Sequence, residues 1–181
     1  MIIAGFLSLV ASATHADQAK PLAEAFSLPI LASGETSSLA ILASGETSSL
    51  PILASGTEYQ FEPVSGQVTY LDFWASWCGP CKLSFPDMKI LQTEFADKGL
   101  RIIAVSVDEK SANAEKFLKR FEPNFTVLLD TTGDVAAKYQ IPAMPTSFLI
   151  DQNGRVREIH AGYRPGDIEQ LRASITKLLN E

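Results

Sequence analysis

The 181-residue chain holds two cysteines, and they stand three positions apart in Trp77-Cys78-Gly79-Pro80-Cys81. A strand-like run, Val68 to Ala75, leads into them and a helix-like run, Lys82 to Lys98, leads out. That is the setting in which a Cys-x-x-Cys works as a redox pair. At a helix start, Cys78 is expected at the exposed N-terminal end and Cys81 one turn in. Unpaired N–H groups and about half a positive charge at such an end stabilise a thiolate, whose free pKa is about 8.5. Cys78 is therefore read as the nucleophile and Cys81 as the thiol that resolves the mixed disulfide, with a Cys78–Cys81 disulfide as the oxidised form. Trp77, Gly79 and Pro80 are read as support for the pair. Proline suits the first helical position, where a missing N–H costs nothing. Neither Gly79 nor Pro80 adds charge, which favours a reducing poise. The rival reading, a static structural disulfide, fits poorly because so short a loop makes a weak framework.

Asp72 is the second chemical candidate. It interrupts a strand that is otherwise almost wholly apolar, six residues before Cys78. Burial raises a carboxyl's pKa, and a raised pKa suits a general base that takes the Cys81 proton. The other reading is a strand residue at an edge, or one bonded to a buried water. A separate function class also fits the residue types: a copper(I)-binding assembly factor using Cys78, Cys81 and either His160 or Met144, all soft or borderline ligands. A lone, distant His weakens it, since His160 fits a strand surface equally well.

The elements that must position these groups follow in order. Val68 to Ala75 is rich in β-branched and aromatic residues, as a strand buried on both faces requires. The helix after Cys81 carries Met88, Leu91 and Phe95 on one side, and Gly99 ends it. Arg101 to Val107 reads as a second buried strand. A helix opening at Ser111, with Ala114, Phe117, Leu118 and Phe121 inward, is stopped by Pro123. Phe125–Leu129 reads as a short strand and Gly133–Tyr139 as a short helix. Pro145–Asp151 and Val156–Ala161 make a hairpin around Gln152-Asn153-Gly154. A last helix from Pro165-Gly166-Asp167 turns Ile168, Leu171, Ile175 and Leu178 inward. Strands alternating with helices and closing on a hairpin predict an α/β domain with a central mixed β-sheet flanked by helices.

Upstream the pattern changes. Leu28-Pro29-Ile30-Leu31-Ala32-Ser33-Gly34-Glu35-Thr36-Ser37-Ser38 recurs as Leu39–Ser49 with Ala40 for Pro29, and begins a third time at Leu50. Gly and Ser in every eleven-residue unit, with Pro in two of them, exclude a coiled coil, and about three apolar residues per unit are too few for a solenoid. The repeats read as a duplicated linker or strand entry. The first sixteen residues carry no charged side chain, and Ile2–Val10 is apolar before the small residues that follow. That pattern reads as a secretory signal, with an uncleaved anchor as the alternative. The expected layout is a signal over 1–16, a linker over 17–56 and a domain over 57–181, in an exported, periplasmic protein. A net charge of −6 and a pI near 5.0 exclude a phosphate-neutralising nucleic-acid surface.

The run Leu71-Asp72-Phe73-Trp74-Ala75-Ser76-Trp77-Cys78-Gly79-Pro80-Cys81-Lys82 resembles the active-site signature of the thioredoxin superfamily. Ile141-Pro142-Ala143-Met144-Pro145-Thr146-Ser147-Phe148-Leu149-Ile150-Asp151, with Asn153-Gly154 after it, strengthens the likeness. With the helix and short strand over Phe117–Leu129, it is most similar to the exported TlpA/ResA-like thiol:disulfide reductases. The resemblance implies a thioredoxin-like fold with a helix–strand insert and an N-terminal extension. It implies that Pro145 is a cis-proline facing the dithiol, and that Met144, Pro145 and Thr146 bind an extended substrate. Asp72 falls on the superfamily's buried acid. Ser84 stands where some of these reductases carry a functional Glu, and the lysine that accompanies the acid in thioredoxins has no match. Protein disulfides are the implied substrates, supplied with electrons by a membrane-embedded donor. No cofactor or metal is implied, and the chain is read as a monomer. The resemblance also implies that about 22 residues of the repeat are an expansion outside the core.

Overall fold

Strand β5 (Val68–Trp74) lies at the heart of the sheet, with all seven residues buried. The computed structural model describes residues 21–32, 40–41, 47–48 and 58–181. The expected signal over 1–16 and most of the repeat lie outside the described residues. Within them, β1 (Phe26–Ala32), β4 (Glu58–Phe61), β6 (Leu100–Ser106), β7 (Thr126–Leu129), β8 (Thr146–Ile150) and β9 (Val156–Ala161) join β5 in one sheet of order β4-β1-β7-β6-β5-β8-β9. The pieces β2 (Ala40–Ile41) and β3 (Thr47–Ser48) pair separately. β5, β6 and β7 run parallel, while β8 lies antiparallel to both β5 and β9. The expected mixed sheet is therefore present.

Four α-helices complete the described chain: α1 (Cys81–Phe95), α2 (Ser111–Phe121), α3 (Asp134–Lys138) and α4 (Asp167–Leu179). Helix α1 buries Phe85, Met88, Leu91 and Phe95, spaced to form one inward stripe. Side chains alternate across a strand, so β5 divides the core. Val68, Tyr70 and Trp74 join the cluster under α1, α2 and α4. Leu71 and Phe73 join the opposite cluster with Phe148, Ile150 and residues of β1. Trp74 locks the first layer, with Phe85 and Phe117 rings both 4.6 Å from it, centroid to centroid. Contacts of this kind fix α1 and α2 against the end of β5, where the cysteine loop begins.

One expectation is corrected. The stretch 17–56 is not linker throughout: its Phe26–Ala32 is strand β1, inside the sheet between β4 and β7, which fits the strand entry that the repeat also allows. Phe26, Leu28 and Ile30 alternate inward and are buried, and Phe26 stacks on Phe61 at 4.6 Å. The Pro, Gly and Ser of the repeat masked this short alternation. Pro29 fits because β1 changes partners there: residues 26–29 pair with β4, and from Ile30 onward the partner is β7. A residue paired on one side alone does not need an N–H for the other. Leu28–Ala32, the start of the first repeat copy, thus belongs to the sheet.

Candidate active site

The loop Ala75–Pro80 joins β5 to α1 and carries the cysteines to the helix start. Cys78 and Cys81 form a disulfide with Cα atoms 5.4 Å apart. The Cys81 backbone N–H donates to Cys78 Sγ at 3.2 Å, so the helix start aims its first free donor at the expected nucleophile. This is the interaction that favours a thiolate at Cys78 once the disulfide opens. Two details differ from the sequence reading. Pro80 caps the helix, one position before its first residue. Cys78, expected exposed, is only 3% accessible, because the disulfide folds its sulfur back over the Cys81 N–H. Access comes from the flanks: Trp77 is 68% exposed and Leu83 48%, and a Cβ added at Gly79 would meet nothing within 4 Å.

Asp72 sits on the α1 side of β5, sharing that face with Tyr70 and Trp74 by alternation. It is 1% exposed, which settles against an edge position. Its Oδ2 has no hydrogen-bond partner. Burial alone pushes its pKa well above the usual carboxylate range, since no cation lies close enough to oppose it. The lysine found missing from the sequence is not replaced by another part of the described structure. Ser84 is buried and donates its hydroxyl to the Cys81 carbonyl at 3.2 Å, so it contributes no charge.

Strand β8 brings the third part. The Met144–Pro145 peptide bond is cis, as the resemblance implied. The pairing of Phe73 with Thr146 sets Pro145 level with Trp74, at the end of β5 from which the cysteine loop departs. The loop is held on both sides: Thr146 Oγ1 donates to the Ala143 carbonyl at 2.7 Å, and the Gly162 N–H donates to the Pro145 carbonyl at 2.7 Å. Met144 is half-buried and packs against both core clusters. His160 stays apart. It lies on β9, two strands from β5, with its Nε2 3.2 Å from Glu158. Among the described residues no three His, Cys, Asp or Glu side chains gather as a metal site would need.

Sequence reasoning missed a residue that holds the loop. Asp108, just after β6, accepts from the Ser76 N–H (2.9 Å), the Ser76 hydroxyl (2.7 Å) and the Ser106 hydroxyl (2.9 Å). Asp108 thereby fixes the residue two places before Cys78. No local signal marked it, because Asp108 and Ser76 are 32 residues apart and meet only through the parallel pairing of β5 with β6.

Comparison with known proteins converges on the same chemistry. A family model described as Redoxin matches residues 21–175. The chain is 37% identical over 119 residues to the thiol-disulfide oxidoreductase ResA of Geobacillus thermodenitrificans, covering 65% of this chain and 68% of that protein. It is 36% identical to ResA of Bacillus subtilis over 103 residues, covering 57% and 58%. Among solved structures, a putative thiol:disulfide interchange protein DsbE from Chlorobium tepidum is similar, with a TM-score of 0.71 and 38% identity, covering 88% of this chain and 96% of that one. StoA from Bacillus subtilis is also similar, with a TM-score of 0.56 and 28% identity, over 70% and 90% of the two chains.

Proposed function

The chain belongs to the Redoxin family and is a thiol:disulfide oxidoreductase, and from that premise we propose that it reduces disulfides of protein substrates outside the cytoplasm. The observation that carries this reading is the Cys78–Cys81 disulfide at the start of α1, with the Cys81 N–H on Cys78 Sγ and a buried Asp72, its Oδ2 without a partner, on the α1 side of β5.

The steps follow from that arrangement. In the reduced protein the Cys78 thiolate attacks one sulfur of the substrate disulfide. The substrate S–S bond breaks, a Cys78–substrate disulfide forms, and the first substrate sulfur leaves as a thiolate and takes a proton from solvent. Asp72 then accepts the Cys81 proton. The Cys81 thiolate attacks Cys78 Sγ, the mixed disulfide breaks, and the second substrate sulfur leaves as a thiolate that also takes a proton from solvent. The substrate gains two electrons and two protons, and the protein is left as the disulfide described above. Exposed Trp77, with Met144 and the Pro145 loop opposite, offers the surface against which an extended substrate segment docks. Export rests on the apolar, uncharged first sixteen residues. Outside the cytoplasm the pair needs reduction after each cycle, and a membrane-embedded dithiol donor fits that need.

Catalysed reduction of insulin by dithiothreitol, together with the midpoint potential of the Cys78–Cys81 couple, tests the reading. A potential near that of thioredoxin, about −270 mV, is expected; one near −120 mV would identify an oxidant. Cys81→Ser should trap a substrate on Cys78. Stoichiometric copper(I) uptake without turnover would instead support the assembly-factor reading.

A further inference from the structure

Asp72 is reachable from a direction other than the substrate groove. On β8 the residue directly opposite it is Ser147, and on β9 the residue opposite Ser147 is His160. Residues paired across antiparallel strands share a face, with Cβ atoms roughly 4.5–5.5 Å apart. Asp72, Ser147 and His160 therefore form a polar row running from the centre of the sheet to its edge. Tyr70, two residues before Asp72 on the same face, has the Ser147 hydroxyl as a polar neighbour that favours its charged form. Tyr70 also lines a pocket of about 300 Å³ between β9 and the start of α4, together with His160, Tyr163, Asp167 and Gln170. On its α1 side Tyr163 donates to Asp87 at 2.6 Å.

These groups are costly to bury without use. Asp72 and Tyr70 are 1% exposed and Ser147 is 4% exposed, on a face of the sheet that otherwise packs the apolar cluster under α1 and α4. An apolar residue at any of the three would remove a desolvation penalty. Tyr70 on its own strand and Tyr163 from the loop after β9 both feel the Asp72 charge, and Asp167 of α4 acts on both tyrosines. β6 offers only Ala104 opposite it. Tyr70 is raised well above its usual pKa by burial first and then by the Asp72 charge, so the phenol stays protonated and can pass a proton on.

We propose that Ser147 and Tyr70 link the Asp72 carboxyl to the His160-lined pocket, so that the proton Asp72 takes from Cys81 leaves through the pocket while substrate still covers the thiols. The inference rests on the Cys81–Asp72 step proposed above. The protonated carboxyl gives its proton to the Ser147 hydroxyl, directly or across one water. Ser147 passes its own proton to the Tyr70 oxygen, and Tyr70 releases its proton to water in the pocket. Each hydroxyl loses one proton and gains one, and Asp72 returns to a carboxylate for the next cycle. Ser147 and Tyr70 act through Asp72 and are positioning residues.

The test uses the full reduced protein and the aromatic disulfide dithionitrobenzoate, which releases one thiolate when Cys78 attacks and a second when Cys81 resolves. Ser147→Ala and Tyr70→Phe should slow the second release about tenfold at neutral pH, a part of the 10²–10⁴ that acid–base catalysis supplies. Both should also shift the pH midpoint of the second release. The first release should stay within about twofold, and Ser147→Thr should restore the second. An unchanged second release and pH midpoint in Ser147→Ala, while Asp72→Asn slows it, would overturn the link and leave the Asp72 step standing. An unchanged second release in Asp72→Asn overturns both. Ser147→Ala removes a single oxygen and decides the matter alone if Tyr70→Phe does not fold.

Discussion

Two buried acids, 36 positions apart, sit in opposite circumstances. Asp108 is 2% exposed and accepts three hydrogen bonds from Ser76 and Ser106. Asp72 is 1% exposed, its Oδ2 takes no bond, and burial alone governs its pKa. Both lie beside the same loop. The difference separates two uses of a buried carboxylate. One is saturated with donors and fixes geometry. The other leaves one oxygen without a donor, at a cost to stability, and is the group proposed to take the Cys81 proton. Burial by itself does not tell these apart; the count of partners does.

The comparison breaks most directly at Asp72. Asp72→Asn should slow resolution of the mixed disulfide by about 10²-fold, because an amide cannot take the Cys81 proton. The measurement is the second thiolate release in a single turnover, and a loss under threefold would move Asp72 into the structural class with Asp108. Next comes Asp108→Ala. It strands the Ser76 and Ser106 donors, and unfolding in denaturant should show a loss of about 3 kcal/mol. In the protein that remains folded, the second release should change less than it does for Asp72→Asn.

The third effect is a pH dependence of opposite origin. The folded-state pKa of Asp72 is raised above its unfolded value, so the folded state holds a proton that the unfolded state has released. Below the ordinary carboxyl value of 3.8, both states are protonated and the group is neutral to stability. As pH rises from there through the folded pKa, stability is lost. Asp72→Asn should therefore match the wild type at low pH and exceed it at alkaline pH, by about 1–3 kcal/mol, the cost of an unsatisfied buried group. Denaturant midpoints across that range supply the check, and a variant weaker than wild type at alkaline pH would contradict it. The smallest effect belongs to the far edge of the sheet. Deleting residues 28–49 joins Ser27 to Leu50 and regenerates Leu-Pro-Ile-Leu-Ala-Ser-Gly in the place of β1. Both acids keep their surroundings, so rates should stay within twofold. Stability should hold or rise by up to about 2 kcal/mol from the shorter connection.

Much of the site was legible in the chain because its signals are local. Cys78, Cys81 and the helix that follows lie within one stretch, and Asp72 stands out against the apolar run around it. Pro145 was legible from the residues flanking it. Asp108, Ser147 and Tyr70 were not. Each gains its role from a partner on another strand, and nothing within a few residues of Ser147 records that it faces Asp72. The place of strand β1 was missed for a related reason: its short alternation is embedded in a repeat whose copies look alike, and only pairing with β4 and β7 selects Phe26–Ala32.

The sequence by itself determined the chemistry: a dithiol at a helix start, an acid in the preceding strand, a proline before a later one, and the alternation of elements that yields a mixed sheet. These depend on residue type and on spacing along the chain, which periodicity and helix-end geometry convert directly into placement. The tertiary structure decided which acid is saturated with donors and which leaves an oxygen bare, that Cys78 is covered by its own disulfide, and that Phe26–Ala32 is a strand. It also decided that a polar row runs from Asp72 to a pocket at the sheet edge. The covering of Cys78 is local to its loop; the other three depend on strand register. Register brings residues 32 or more positions apart to within hydrogen-bond reach, and it is set by the packing of the whole sheet rather than by any one segment.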